Sequence, residues 1–399
     1  MYEVIPFGGI TSPNGFLAGS TYCGIKTGGR DLSVVLSQTR CVAAAVYTTN
    51  RVLAAPILLT RDHLADGWAQ ALIVNSGNAN ACTGPGGYTD AELMARAVAE
   101  KTGVSTQDVV VASTGVIGVE LPVDKIRAGV ERIVLSPIGG HEAALGIITT
   151  DLVTKEAAVR TSIGGATVVI GGMAKGSGMI HPNLATMLAF ITTDASLDLA
   201  FARQALCRAV DKSFNMITVD GDTSTNDMVL LMANGTAGNV TIVDGSPEAE
   251  VFQEALDRVA IDLAKAVVRD GEGATKLIEV EVEGAATNSD ARKAARAVAG
   301  SNLFKAAVYG SDPNWGRILA AVGYSGSEID VTRVDVSIGG VSLMRHGLVQ
   351  EFDRAYVSSL LNQKDVHVGI NLGLGEFRAI AWGCDLTEEY VRINANYTT

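Results

Sequence analysis

Apolar and polar positions along this chain follow two different periods. Short runs rich in Val, Ile and Ala, most of them closed by Gly, Asn or Asp, predict strands at 34–37, 42–48, 71–75, 109–113, 167–171, 188–193, 228–233, 278–283, 305–309, 334–338, 366–372 and 378–382. In Ile278-Glu279-Val280-Glu281-Val282-Glu283 the period is two, the pattern of a strand with one wet face. Elsewhere the period lengthens. Residues 247–269 place Val251, Ala255, Val259, Leu263 and Val267 four apart, behind Ser246 as cap and Pro247 at the first helical position, and predict a helix with one buried stripe. Thr89 with Glu92 three residues on predicts a capped helix over 89–101, and further helices are expected at 198–212, 288–299 and 351–362. The interleaving predicts an α+β chain with large sheets covered by helices. No internal repeat or low-complexity linker is visible.

Three stretches break the pattern. They are GGMAKGSGMIHPNLATM at 171–187, VDGDTSTND at 219–227 and RDGEGATK at 269–276. Loops dense in polar residues and Gly between core strands are where sites usually lie. Composition sharpens that point. Glycine supplies 44 of 399 residues, against a usual share of about 7%, so many turns and backbone-lined loops are expected. The net charge is −12, from 31 Lys and Arg against 43 Asp and Glu. That balance argues against nucleic acid, whose phosphates need clustered cations, and against a polybasic membrane anchor. The opening MYEVIPFGGI lacks the basic and apolar regions of a signal peptide, and no long uncharged apolar run reads as a membrane span. A cytoplasmic protein is expected.

Most familiar chemistries find no support. GGMAKGSG is not a phosphate-binding G-x-x-x-x-G-K-[ST] loop, and no G-x-G-x-x-G follows a strand. His63, His141, His181, His346 and His367 show no metal-ligand spacing. The stretch from Asp220 begins like a calcium loop, but Thr225 and Leu231 stand where Gly and Glu are needed. Cys23, Cys41, Cys82, Cys207 and Cys384 form no C-x-x-C pair and read as buried small hydrophobes. No metal and no organic cofactor is expected. A threonine remains as candidate nucleophile. Its hydroxyl needs a base, and a chain cut just before it supplies one as the freed α-amine. In Asn183-Leu184-Ala185-Thr186-Met187-Leu188 a small residue precedes the threonine, a Gly-rich loop leads in and an apolar strand follows. A threonine that simply ends a loop is the competing reading.

At these residues the sequence resembles the ornithine acetyltransferase (ArgJ) family. The likeness is carried by KGSGMIHPNLATML (175–188), IVNSGNANACTG (73–84), STGVIG (113–118), TVDGDTSTND (218–227), RDGEGATKLIEV (269–280), YGSDPNWGRI (309–318) and AWGCDLTEEYVRINANY (381–397), and it spans essentially the whole chain. It implies a self-cleaving, N-terminal-nucleophile-type ArgJ/DmpA-like α+β fold of two packed β-sheets flanked by helices. It implies a cut between Ala185 and Thr186 into an alpha chain, 1–185, and a beta chain, 186–399. Thr186 would then be the nucleophile, and Thr114 with Gly115, just after a strand, the oxyanion hole. Substrate binding is implied at Thr150, Lys175, Thr186, Glu272, Asn394 and Thr399, with Thr149 one residue from the first of these. The implied reaction moves acetyl from N-acetyl-L-ornithine to L-glutamate through acetyl-Thr186, in arginine biosynthesis. Lys175 suits a substrate carboxylate and Glu272 the cationic end of ornithine. The family further implies a heterotetramer of two alpha and two beta chains. Acetyl-CoA stays open as a second acetyl donor, because no motif separates family members that use it. An amidase or aminopeptidase with the same nucleophile is the alternative, set apart only by water as acceptor.

Overall fold

The computed structural model describes residues 2–181 and 187–396. Its first sheet is built from β1 (Tyr2–Val4), β2 (Phe16–Thr21), β3 (Leu32–Tyr47), β4 (Trp68–Asn78), β5 (Val109–Val116), β6 (Lys155–Ile163), β7 (Ala166–Lys175), β8 (Leu188–Thr193) and β9 (Met228–Ala233). They run in the order β1-β6-β7-β8-β9-β3-β4-β5, with β2 also paired to β3. Only β8 with β9 and β4 with β5 are parallel; the other pairs are antiparallel. The two runs expected at 34–37 and 42–48 are one long strand, whose register with β4 shifts between Leu36 and Cys41. The second sheet holds β10 (Leu277–Ala285), β11 (Asp335–Ile338), β12 (Val341–Arg345), β13 (Leu348–Val349), β14 (Asp365–Asn371) and β15 (Phe377–Cys384), in the order β13-β12-β11-β14-β10-β15. The expected α+β architecture of two sheets flanked by helices is the one observed.

The helices are α1 (Ala55–His63), α2 (Gly84–Thr102), α3 (Val123–Arg132), α4 (Gly140–Ile147), α5 (Leu199–Lys212), α6 (Pro247–Arg269), α7 (Asn288–Ala299), α8 (Asn302–Tyr309), α9 (Trp315–Tyr324), α10 (Arg354–Leu361) and α11 (Glu388–Asn396). Helix α6 has the bounds its sequence predicts, and Ser246 Oγ accepts from Ala249 N as the cap. Its buried stripe is wider than expected. Besides Ala255, Val259, Leu263 and Val267, it buries Phe252, Leu256, Ala260, Ala264 and Val268, because it packs on β6 and β7 of one sheet and on β15 of the other. Phe252 meets Phe201 of α5 edge to face at 5.8 Å between ring centres. The apolar seam between the sheets is thus filled by one long helix.

Two expectations fail. Residues 305–309 are not a strand but the end of α8, which Ser301 caps by accepting from Phe304 N. Thr89 is no cap; α2 begins a turn earlier, with a proline in its first turn. The cysteines also divide. Cys23, Cys41 and Cys384 are buried, and burial pushes the first two thiols up to about 12 and the third to about 11, whereas Cys82 and Cys207 are exposed.

Candidate active site

One cavity gathers the three polar stretches that the sequence sets apart. Its wall combines the end of β5, the residues after α4, the end of β7 with the turn that follows, the start of β8, the segment before β9 and the loop after α6. Thr114 and Gly115 lie on it, inside β5 rather than after the strand. Here β5 pairs with β4 so closely that a Cβ on Gly115 would stand 2.3 Å from the Gly77 carbonyl carbon, and the Gly115 φ is +136°. Only glycine fits both conditions. Sheet pairing therefore fixes the direction of these two candidate oxyanion donors. Asn226 Nδ2 adds a tie, donating to Ala79 O at 2.6 Å and to Ser113 O at 2.9 Å.

Lys175 closes β7 and is buried. Its Nζ donates to Thr149 Oγ1 at 2.8 Å and reaches Thr114 Oγ1 at 3.4 Å. Burial lowers its proton affinity, and Asp151, 4.0 Å away, pulls the other way. Behind it lies a dense ionic cluster. Lys155 Nζ donates to Asp151 Oδ1 and to Asp270 Oδ2, both at 2.5 Å, and Gly176 N donates to Asp151 Oδ1 at 2.7 Å. Burial alone would raise the Asp151 carboxyl, but Lys175 and Lys155 outweigh it and hold the pKa at about 2.

Thr149 and Thr150 both reach the cavity, and Thr150 Oγ1 shares a 2.7 Å hydrogen bond with Ser177 Oγ. Glu272 faces them from the loop after α6. Its N donates to Ser177 O at 2.8 Å, and its Oε2 accepts from Asn394 Nδ2 at 2.8 Å. Asn394, exposed on α11, thus reaches the site through Glu272 rather than by lining it. Asp220 organises the turn after β7 by accepting from Met179 N and Ile180 N. Met187, which follows Thr186 in the sequence, lines the same cavity. Ala185, Thr186 and Thr399 lie outside the described residues.

Sequence reasoning missed Asp151 and Lys155, four residues apart outside any helix, and Asp270, which only folding brings to them. It also passed over Asp227, whose carboxyl is buried on the cavity wall. Two of the four sit in stretches whose polarity stood out, VDGDTSTND and RDGEGATK, and that was the available signal. Among the described residues no group of three His, Cys, Asp or Glu side chains is placed to hold a metal ion, and no helix is long and apolar enough to cross a membrane.

Candidate oxyanion donors held by sheet pairing, a buried cation beside them and an acidic loop opposite make a wall suited to moving an acyl group on and off a small charged molecule. The class is that of an acyltransferase. The chain belongs to the ArgJ family, whose profile matches residues 17–399. It is 57% identical over 397 residues to the arginine biosynthesis bifunctional protein ArgJ of Symbiobacterium thermophilum, covering 98% of this chain and 99% of that one. It is 50% identical over 400 residues to the protein of the same description from Dehalococcoides mccartyi, covering 100% and 99%. The crystal structure of arginine biosynthesis bifunctional protein ArgJ from Bacillus halodurans matches with 47% identity and a TM-score of 0.52, over 53% of this chain and 100% of the solved one. With these relatives the chain is an acyltransferase of arginine biosynthesis.

Proposed function

We propose that the chain is a precursor that cuts itself between Ala185 and Thr186, and that the finished enzyme carries acetyl from N-acetyl-L-ornithine to L-glutamate. The pieces 1–185 and 186–399 stay together, two of each in the assembly. Thr186 opens the second piece. Its α-amine takes the hydroxyl proton as Oγ attacks the acetyl carbon. Thr114 and Gly115 donate to the oxyanion that forms. Ornithine leaves, and the α-amine of glutamate attacks the acetyl-Thr186 ester to give N-acetylglutamate. Lys175 pairs with the substrate carboxylate, and Glu272, steadied by Asn394, faces the ammonium end of ornithine. Thr150 and Thr399 complete the substrate contacts. No cofactor takes part.

The observation that carries this reading is the shared wall. Met187, the residue after Thr186, lines one cavity with Thr114, Gly115, Lys175 and Glu272. The half-length solved chain from Bacillus halodurans supports the division, because the 53% of this chain that it matches is close to the share lying beyond a cut before Thr186. The word bifunctional in the relatives' description favours acetyl-CoA as a second acetyl donor. Intact mass spectrometry tests the core of the proposal. N-acetylornithine is expected to add one acetyl group to the second piece, and glutamate to remove it. An acetyl group lost equally fast without glutamate would turn the reading into that of an amidase. No acetylation would sink it.

A further inference from the structure

The cavity wall holds a carboxyl group that this reaction does not use. Asp227 is 3% exposed, and its Oδ2 has no hydrogen-bond partner among the described residues. Buried polar atoms are as a rule paired, so an orphan on a cavity wall calls for a ligand or a reaction. The backbone around it is pinned. Thr48 N donates to Asp227 O at 3.0 Å, and Met228 N donates to Met187 O at 3.1 Å. Leu188 of β8 and Met228 of β9 are partners in parallel register. One step back along both strands, Asp227 stands beside Met187, the residue that follows Thr186 in the sequence.

A precursor that cuts itself before Thr186 has a chemical gap. The α-amine that acts as base in the finished enzyme is, before the cut, the amide nitrogen of the bond to be broken. An amide nitrogen accepts no proton at neutral pH, so the hydroxyl proton needs another acceptor. We propose that Asp227 is that acceptor, the general base of the self-cleavage step. Its free Oδ2 takes the proton as Thr186 Oγ bonds to the Ala185 carbonyl carbon, and returns it to the Thr186 nitrogen as the C–N bond breaks. One proton has moved from oxygen to nitrogen. The product is an ester joining Ala185 to Thr186, with a free α-amine. Water then hydrolyses the ester and leaves the Ala185 carboxylate. The assignment rests on the reading that the chain is cut at this bond.

The neighbouring groups divide the work. Lys175 also lies buried on the wall, but its Nζ is engaged with the Thr149 and Thr114 hydroxyls, on the oxyanion side. Glu272 is held by Asn394. Burial raises the Asp227 carboxyl well above its ordinary range, against hydrogen bonds from Ser224 and the pull of Lys175. A raised carboxyl is a stronger base than a surface one and better matched to work near neutral pH.

The test uses the full chain, made by cell-free synthesis with a short label and chased on a denaturing gel. Wild type, Asp227→Asn and Asp227→Glu are compared from about pH 5 to about pH 9, and folding is checked by thermal melting. Asp227→Asn is expected to cut at least about 10²-fold more slowly, without the rise in rate with pH that wild type shows, and Asp227→Glu to recover part of the rate. A folded Asp227→Asn chain that cuts at the wild-type rate overturns the assignment and leaves the cut standing. If that variant does not fold, the wild-type profile decides: a rate that rises with pH as a carboxyl ionises supports Asp227, and one flat throughout overturns it. A wild-type chain that stays whole overturns the underlying reading instead.

Discussion

Asp151 and Asp227 are both buried carboxylates near Lys175, and the protein treats them in opposite ways. Behind β7, Asp151 is surrounded. Lys155 donates to one of its oxygens, Gly176 N to the same oxygen, and Thr149 N to the other at 2.9 Å. Its charge is matched, and its pKa falls to about 2. Before β9, Asp227 has one oxygen with no partner among the described residues, and its pKa rises. Burial is common to both, so burial alone does not set the role. The number of partners does. A fully paired acid is an anchor. An under-paired acid on a cavity wall is a group kept ready to exchange a proton. The anchor also spans the proposed cut, because Asp151 and Lys155 precede it and Asp270 follows it.

Breaking the anchor should have the largest effect. Lys155→Met removes the cation that Asp151 and Asp270 share, leaving Asp151 only Lys175 at 4.0 Å, and is expected to destabilise the fold by about 3–5 kcal/mol, read by denaturant melting. Acid sharpens the point. Asp151 is depressed from 3.8 to about 2, so its contribution is present above the ordinary value and is lost as pH falls toward the lower one. Wild type should lose stability across that acid window more steeply than Lys155→Met.

Next comes the open wall itself. Gly115→Ala drives a Cβ into the Gly77 backbone, and is expected to lower acetyl transfer by about 10²–10³-fold, the effect of losing one oxyanion donor. A smaller effect separates Asp227 from Asp151 by sign. Its raised pKa means that its contribution to stability falls as pH rises from the ordinary value through the raised one. In that window the stability of wild type relative to Asp227→Asn should drop by up to about 1.4 kcal/mol per pH unit, measured by melting at a series of pH values. The mildest change is Gly178→Ala. A Cβ there would meet Glu272 Oε2 at 2.4 Å, the far end of a flexible side chain. The fold should tolerate it, while KM for N-acetylornithine rises by about tenfold, as it should in Glu272→Gln.

The two regions were not equally legible in the sequence. The acyl-transfer wall announced itself through Gly-rich and polar stretches, because a strand-forming chain departs from its hydrophobic period only where something else is needed. Helix α6 was legible to its ends, since cap, proline and stripe all agree there. The anchor was not, because Asp270 reaches Asp151 and Lys155 only through tertiary folding, and the four-residue spacing of those two falls outside any helix, where it signals nothing. Strands β2 and β6 were missed for a related reason. FLAGST and KEAAVRTSI carry small and polar residues, and neighbouring strands, not their own apolar period, hold them in the sheet. The run 305–309 was misread because five apolar-rich residues fit a strand or a helix turn equally well, and the deciding cap, Ser301, lies outside it.

The central claim is that a chain made whole works only after it is cut at one bond. N-terminal sequencing of the purified protein, run beside a denaturing gel, tests it most directly. The account predicts two bands, one beginning Met-Tyr-Glu and one beginning Thr-Met-Leu. A single band of 399 residues that still transfers acetyl from N-acetylornithine to glutamate would contradict it.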